Sequence, residues 1–250
     1  MFKNKKILVS GSEGYLAKQM KNSFISHGAS FIGLDLKKID NTTHKCDITN
    51  EKQVKKFFEN YINNVGLDIL INNASVNPGN VKKLSKKHYN FSDYDLSVWK
   101  KNLDVDLIGS FLLSKYALKN FEKQKYGTII NISSIYGLIA PDQNMYGDSS
   151  TFKGYKPIEY SVAKAGLIGF TKSLASYYSK SNIKIICLIL GGVNNNFSNE
   201  FKKKYANKTI QGRMANIEEI INYINFFASS KSSYSSGNCI VIDGGATSII

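Results

Sequence analysis

Short apolar runs alternate with stretches of helical period along nearly the whole chain. Lys6–Ser10, Ser30–Leu36, Leu67–Ile71, Gly127–Ile132, Ile183–Leu190 and Cys239–Ile242 read as strands. Gly14–His27, Glu51–Asn64, the region Tyr94–Lys123, Glu159–Ser179 and Ile217–Ser229 read as helices. This alternation predicts an α/β fold, a doubly wound parallel sheet with helices on both faces. No internal repeat and no Pro/Gly/Ser-rich linker interrupts it, so residues 1–250 are expected to form a single domain.

Two stretches, residues 75–93 and 138–157, fit the alternation poorly, and together with residues 193–212 they are expected to form substrate loops. The first is polar, with Lys82, Lys83, Lys86, Lys87 and His88; the second carries Pro141, Gly147, Gly154 and Pro157 with Tyr146 and Tyr155. Loops this long in a compact domain are usually functional or disordered. The first two follow strands at the sheet edge where open α/β sheets bind ligands, which reads as pocket walls or a lid; surface decoration is the alternative.

At 250 residues and 42% apolar content the chain can bury one large core. No apolar run is long enough to span a membrane. The N-terminus meets Gly11 and Gly14 after a short apolar stretch, so no signal peptide is expected. Cys46, Cys187 and Cys239 are scattered, which suggests a reduced, cytoplasmic protein with no disulfide framework and no metal site. The net charge is +14, yet Arg213 is the only arginine among 33 basic residues, a bias typical of an AT-rich genome. Phosphate recognition favours arginine, and Trp99 is the lone tryptophan, so no nucleic-acid partner is expected. An anionic small-molecule substrate, steered by Lys82–His88, stays compatible with the charge.

After the first strand comes Ser10-Gly11-Ser12-Glu13-Gly14-Tyr15-Leu16-Ala17, a G-x-x-G-x-x-A turn. The first glycine permits a tight turn, the second lets a pyrophosphate approach the backbone, and a small third residue lets helix and strand pack closely. Residues Gly11, Ser12, Glu13, Gly14, Tyr15 and Leu16 are therefore candidate dinucleotide contacts, helped by the free N–H groups of the helix N-terminus. Asp35, at the end of the second strand, is placed to hold the adenine ribose hydroxyls and to repel a 2′-phosphate, which favours NAD over NADP. Glu13 adds to that bias; Lys37 and Lys38 weaken it. Asp47 either contacts the adenine edge, with Ile48 beside it, or caps the following helix together with Thr49 and Asn50. The paired amides of Asn72-Asn73-Ala74 either tie neighbouring loops together and border the dinucleotide or form an ordinary turn.

Tyr160 and Lys164 share one helical face at i and i+4. A free phenol, with a pKa of about 10, is a poor base at neutral pH; a lysine cation one turn away favours the phenolate. Ser134, closing Asn131-Ile132-Ser133-Ser134, offers a hydroxyl to hold a substrate oxygen while a proton moves. This is chemistry for interconverting an alcohol and a carbonyl, and it requires a hydride carrier.

In this order and spacing, the Gly11/Gly14 turn, Asp35, Asp47, Asn72-Asn73-Ala74, Ser134, Tyr160, Lys164, Leu190-Gly191-Gly192 and Val241-Ile242-Asp243-Gly244-Gly245 resemble the short-chain dehydrogenase/reductase superfamily, from about Lys5 to Gly245. The resemblance implies a single Rossmann-like domain with about seven strands, and a homodimer or homotetramer built through long helices. It implies NAD or NADP as cofactor and a secondary alcohol and ketone as the substrate pair. Tyr160 would be the general acid/base, Lys164 would favour its phenolate and hold the nicotinamide ribose, and Ser134 would position the substrate oxygen. Asn72 through Ala74 would border the cofactor, and Gly191, Gly192 and Val193 would flank the nicotinamide.

Several positions depart from the pattern. Asp106 stands where the family carries a helix asparagine, and a carboxylate there could hold a water in a proton relay with an altered pH response; Asn102, one turn earlier, is a substitute. Leu190 replaces the usual proline, Ser75 replaces a glycine, and the glycine turn is one residue shorter than in the most compact members. Ser134 and Tyr160 lie about twice the usual distance apart in sequence. The pattern Ser134-Ile135-Tyr136-Gly137, with the late Glu159-Tyr160, resembles oxidoreductases of bacterial surface-sugar clusters, which points to a sugar or nucleotide sugar. The alternatives are a 3-oxoacyl-carrier-protein reductase-like enzyme or a catalytically degraded dinucleotide-binding regulatory protein, since fold alone does not set function.

Overall fold

The structure, a computed structural model, describes residues 1–76, 91–146 and 156–249. Seven parallel strands form one sheet: β1 (Lys6–Ser10), β2 (Ser30–Asp35), β3 (Thr43–Lys45), β4 (Ile69–Asn72), β5 (Gly127–Ser134), β6 (Ile183–Leu190) and β7 (Cys239–Ile242), in the order β3-β2-β1-β4-β5-β6-β7. The chain order reverses between β1 and β4. In open α/β sheets the crevice outside the carboxyl ends of such strands is where ligands bind.

Alternate residues of each strand feed opposite faces. Leu8, Ile32, Leu70, Ile129 and Ile185 pack beneath α2 (Glu51–Phe57) and α5 (Gly109–Gln124). Ile7, Val9, Ile69, Ile71, Ile130 and Ile186 pack beneath α1 (Tyr15–Ser26) and α8 (Ile217–Ala228). Because both faces are covered, these strands read as continuous apolar runs. The helix α2 continues through a π-helical turn (Phe58–Ile62) into a short α3 (Asn63–Val65). The helix α4 (Leu96–Leu103) likewise runs through a π-helical turn (Asp104–Ile108) into α5. Such wide turns often mark functional sites.

Two elements escape the hydrophobic pattern. The strand β3 has only three residues, all of them polar, and is held by pairing with β2 from Gly33–Thr43 to Asp35–Lys45. The helix α7 (Asn199–Ala206) lies inside the expected 193–212 loop; Ser198 caps it by accepting the Phe201 N–H at 3.2 Å. The basic cluster Lys82–His88, with Gly147, Gly154 and Tyr155, lies outside the described residues.

The long helix α6 (Ile158–Tyr177) sits unusually close to the end of β5. Ser133 Oγ donates to the Lys164 carbonyl at 2.8 Å. A Cβ on Gly137, in the 3₁₀ turn Ile135–Gly137, would lie 2.7 Å from the Lys164 carbonyl carbon. Gly137→Ala is therefore expected to lower unfolding free energy by about 1–3 kcal/mol through overpacking, read as a reduced urea midpoint. At α8, Arg213 forks both Glu219 oxygens at 2.7 Å while Glu219 accepts the Asn216 N–H at 2.8 Å. The Arg213 guanidinium holds the Glu219 carboxyl at about 2, below its ordinary value. The contribution is thus present above the ordinary glutamate pKa and is lost as pH falls through about 2. Thermal melts of Glu219→Gln should lie below wild type at pH 7 and converge with it toward pH 2.

Candidate active site

At the switch point, Gly11 takes φ +65°, and a Cβ there would lie 2.8 Å from the Ala74 Cα. A side chain would force the loops after β1 and β4 apart. The Asn73 and Ala74 N–H groups both donate to Ser10 Oγ at 3.0 Å, and Asn73 Nδ2 reaches the Ser10 carbonyl at 3.0 Å. Asn73 and Ala74 therefore tie the two loops at the crevice. Asn72 does not face it: its amide is buried, donating to Asn131 at 2.7 Å and Ser114 at 3.1 Å.

Gly14 begins α1 with no side-chain cap and no acidic residue in the first turn, so the first N–H groups point free into the crevice. Ser12 is buried, with a hydroxyl that has no partner among the described residues. Tyr15 reaches across to donate to the Asn194 carbonyl at 3.1 Å. These groups fit a dinucleotide: an uncapped positive helix end, an orphaned hydroxyl, and a glycine cradle that a Cβ would fill.

The remaining cofactor candidates divide. Asp35 Oδ2 accepts the Glu13 N–H at 3.1 Å, which sets its carboxylate against the glycine turn. The Glu13 side chain accepts from Thr43 at 3.0 Å, with Lys18 at 3.7 Å. Asp47 Oδ1 accepts the Thr49 N–H at 2.9 Å and its hydroxyl at 2.7 Å, while Asn50 caps α2. Asp47 thus closes a local turn before α2, and the helix cap itself is made by Asn50. Leu16 packs on the core beneath α1 and α8, and buried Ile48 packs against Gly109, where a Cβ would lie 2.7 Å from its Cδ1. Gly191 donates to Ile242 at 2.8 Å and passes so near Asp243 that a Cβ would lie 2.7 Å from its Cα. Val193 pairs with Ala215 in an isolated parallel bridge.

At the catalytic end, α6 carries Tyr160 and Lys164 along the carboxyl end of β5. Lys164 Nζ donates to the Ile132 carbonyl at 3.1 Å and lies 3.1 Å from Asp106 Oδ2, with side-chain exposures of 4% and 2%. Asp106 also accepts the Ser75 hydroxyl at 2.6 Å and the Val76 N–H at 3.0 Å. Burial opposes the Lys164 charge, yet the Asp106 carboxylate and the Tyr160 phenol hold its pKa above the usual lysine value. Asp106 is thus a direct ion-pair partner of Lys164. Asn102 does not substitute for it: its amide donates to buried Glu159 at 3.1 Å, which also accepts the Tyr94 hydroxyl at 2.6 Å. The Tyr160 hydroxyl has no hydrogen-bond partner among the described residues; Lys164 Nζ lies 5.5 Å from its ring centroid. Ser134 Oγ accepts the Tyr136 N–H at 3.2 Å, and its own hydrogen has no acceptor among the described residues.

An aromatic wall that was not among the expected site residues stands beside Tyr160. Tyr146 donates to the Tyr136 hydroxyl at 2.7 Å, lies tilted against Phe201 with ring centroids 5.6 Å apart, and packs with Tyr205 and Met214. The Gly192 N–H donates to the Tyr205 hydroxyl. Lys208 pairs with Asp142 at 2.9 Å, tying the segment after α7 to the 138–146 wall. The i, i+4 spacing of Phe201 and Tyr205 behind the Ser198 cap is its one readable signal. Lys156, at i−4 from Tyr160, is equally readable.

A family model described as enoyl-(acyl carrier protein) reductase matches residues 34–247. The chain is similar to a 3-oxoacyl-[acyl-carrier-protein] reductase of Aquifex aeolicus, 29% identical over 96% of this chain and 86% of that protein. It is similar to post-translational flagellin modification protein A of Campylobacter coli, 28% identical over 98% of this chain and 99% of the relative. Among solved structures it is similar to a short chain dehydrogenase from Leptospira borgpetersenii with bound NAD+, 34% identical, covering 98% and 94% of the two chains with a TM-score of 0.85. With this match along most of its length, the chain belongs to the short-chain dehydrogenase/reductase superfamily, oxidoreductases that act on CH–OH groups with NAD(P).

Proposed function

We propose that the protein interconverts a secondary alcohol and a ketone with Tyr160 as general acid/base, and that NAD is its preferred cofactor. The observation that carries this reading is the Tyr160 hydroxyl, free of partners among the described residues, on the same helix face as the buried, charged Lys164. In the oxidative direction Tyr160 takes the proton from the substrate hydroxyl, and in reduction it returns one to the carbonyl oxygen. Ser134, whose hydrogen has no acceptor among the described residues, holds that same oxygen. When bound, the nicotinamide supplies the two-electron step, accepting a hydride from the carbinol carbon or returning one. Gly11, Ser12, Gly14, Tyr15, Asn73 and Ala74 would hold the dinucleotide, Asp35 its adenine ribose, and Gly191 and Val193 its nicotinamide end.

The substrate we favour is a sugar or nucleotide sugar. The aromatic faces of Tyr136, Tyr146 and Phe201 offer apolar platforms for a sugar ring, and the likeness to a flagellin modification protein supports a role in surface modification. The likeness to a 3-oxoacyl-carrier-protein reductase favours a second reading, an acyl thioester on an acidic carrier, which the +14 charge suits. We read the enzyme as cytoplasmic; no helix among the described residues is long and apolar enough to cross a membrane. A homodimer or homotetramer through α5 and α6 is supported by exposed Ile108, Phe111 and Val162 on or beside those helices.

A screen of nucleotide sugars, free sugars and 3-oxoacyl thioesters, read by NADH absorbance, separates the two substrate classes. Turnover of acyl thioesters alone would displace the sugar reading. On any accepted substrate, Tyr160→Phe is expected to lower kcat by about 10²–10⁴-fold; unchanged turnover would refute the acid/base assignment. Titration should show tighter binding of NAD than NADP, and Asp35→Ala should shift that ratio toward NADP by about tenfold or more. A wild-type preference for NADP would remove Asp35 from the ribose.

A further inference from the structure

Tyr160 is bracketed by two lysines, and only Lys164 belongs to the arrangement described so far. The Lys164–Asp106 pair is almost dry and nearly neutral as a unit, so it presents little net charge to the phenol. Lys156 stands closer. Its Nζ lies 3.8 Å from the Tyr160 ring centroid, against 5.5 Å for Lys164, and 6.0 Å from the Tyr136 ring. A cation at that distance over an aromatic face is attracted by the ring, and far more strongly once the phenol carries a negative charge.

The position of Lys156 is not left to a flexible stem. Its backbone N–H donates to Gln143 Oε1 at 2.8 Å and its carbonyl accepts from Gln143 Nε2 at 3.1 Å, so one side chain clamps both main-chain groups. Pro157 follows at once as the N-cap of α6. Burial pushes the Lys156 pKa below the usual lysine range, while Tyr160 and Asp106 favour its charge and Lys164 opposes it. No carboxylate among the described residues forms an ion pair with it.

The other titratable groups facing Tyr160 do not supply this charge. The phenols of Tyr136, Tyr146 and Tyr205, the last at about 12, are all pushed up by burial and stay neutral. Asp142, beside Tyr136, is paired with Lys208. Asp243, beside Tyr205, accepts from Gly245 and Thr247. Glu159 turns to Tyr94 and Asn102.

We propose that Lys156 is the second cation of this site, acting through the Tyr160 ring to favour the phenolate where Asp106 has neutralised Lys164. The proposal gains its catalytic meaning from the reading of Tyr160 as acid/base, but its test needs no turnover. The full chain is labelled with ¹³C at tyrosine Cζ, the Tyr160 signal is assigned by its loss in Tyr160→Phe, and its ionisation is followed against pH. Lys156→Gln is expected to cut the phenolate fraction of Tyr160 about tenfold at a given pH below the midpoint, so that the midpoint rises by about one pH unit. Asp106→Asn should move it the other way, and Lys156→Arg should stay close to wild type. Coincident titrations of wild type and Lys156→Gln would overturn the proposal. So would a Lys156→Arg variant that behaves like Lys156→Gln, because shape rather than charge would then be responsible. Should Lys156→Gln fail to fold, Gln143→Ala releases the clamp and is expected to move the titration in the same direction by less; no movement there also overturns it. An inactive Tyr160→Phe with unmoved titrations defeats the role of Lys156 alone, whereas an active Tyr160→Phe defeats the acid/base reading and leaves the titration to be judged by itself.

Discussion

A buried ammonium organises the catalytic end of this molecule. Lys164 has almost no access to water, so its charge must be met by protein groups, and each group comes from a different element. Ile132 contributes a carbonyl from β5, and Asp106 contributes a carboxylate from the wide turn joining α4 to α5. Ser75 and Val76, after β4, close the second layer on Asp106. Breaking a buried pair by removing one partner typically costs about 3–5 kcal/mol, because the survivor is left uncompensated. The strand, the helix pair and the loop are therefore held in one arrangement, and Tyr160, one turn from Lys164, inherits its position from it.

The cofactor end is governed by a different constraint, close approach of backbone to backbone. Gly11 against Ala74 and Gly191 against Asp243 allow loops from neighbouring strands to meet without side chains between them. Hydrogen bonds from Asn73 and Ala74 to Ser10 then lock the meeting. What is left exposed is an uncapped helix end, shaped before any ligand arrives. Preorganisation of this kind reduces the ordering that binding must impose.

The parallel sheet was legible because strands covered on both faces carry continuous apolar runs, and β1, β2, β4, β5 and β6 each contain one, as does the edge strand β7. The strand β3 was not, since Thr43-His44-Lys45 has no apolar run and gains its state from pairing with β2. The helix α7 is short and polar, with only Phe201 and Tyr205 on its buried side. The places of the glycine turn after β1, Asp35 at the end of β2, Ser134 at the end of β5 and Tyr160 with Lys164 on α6 were legible through spacing along the chain. The roles of Glu13, Asp47 and Asn102 were not, because a polar side chain at a strand or helix end has several partners in reach and only the folded neighbourhood selects one.

By itself the sequence determined the element order, the two-sided core, the dinucleotide turn and the Tyr160–Lys164 pair, all of which rest on local periodicity or on backbone conformations that few residues adopt. Only the tertiary structure decided that Asp106 neutralises Lys164, that Asn102 serves Glu159, and that Lys156 lies over the Tyr160 ring. These are matters of which charges meet in a low-dielectric interior. Their outcome depends on distances of a few ångströms between side chains, two of the three pairs tens of positions apart, which spacing along the chain does not fix.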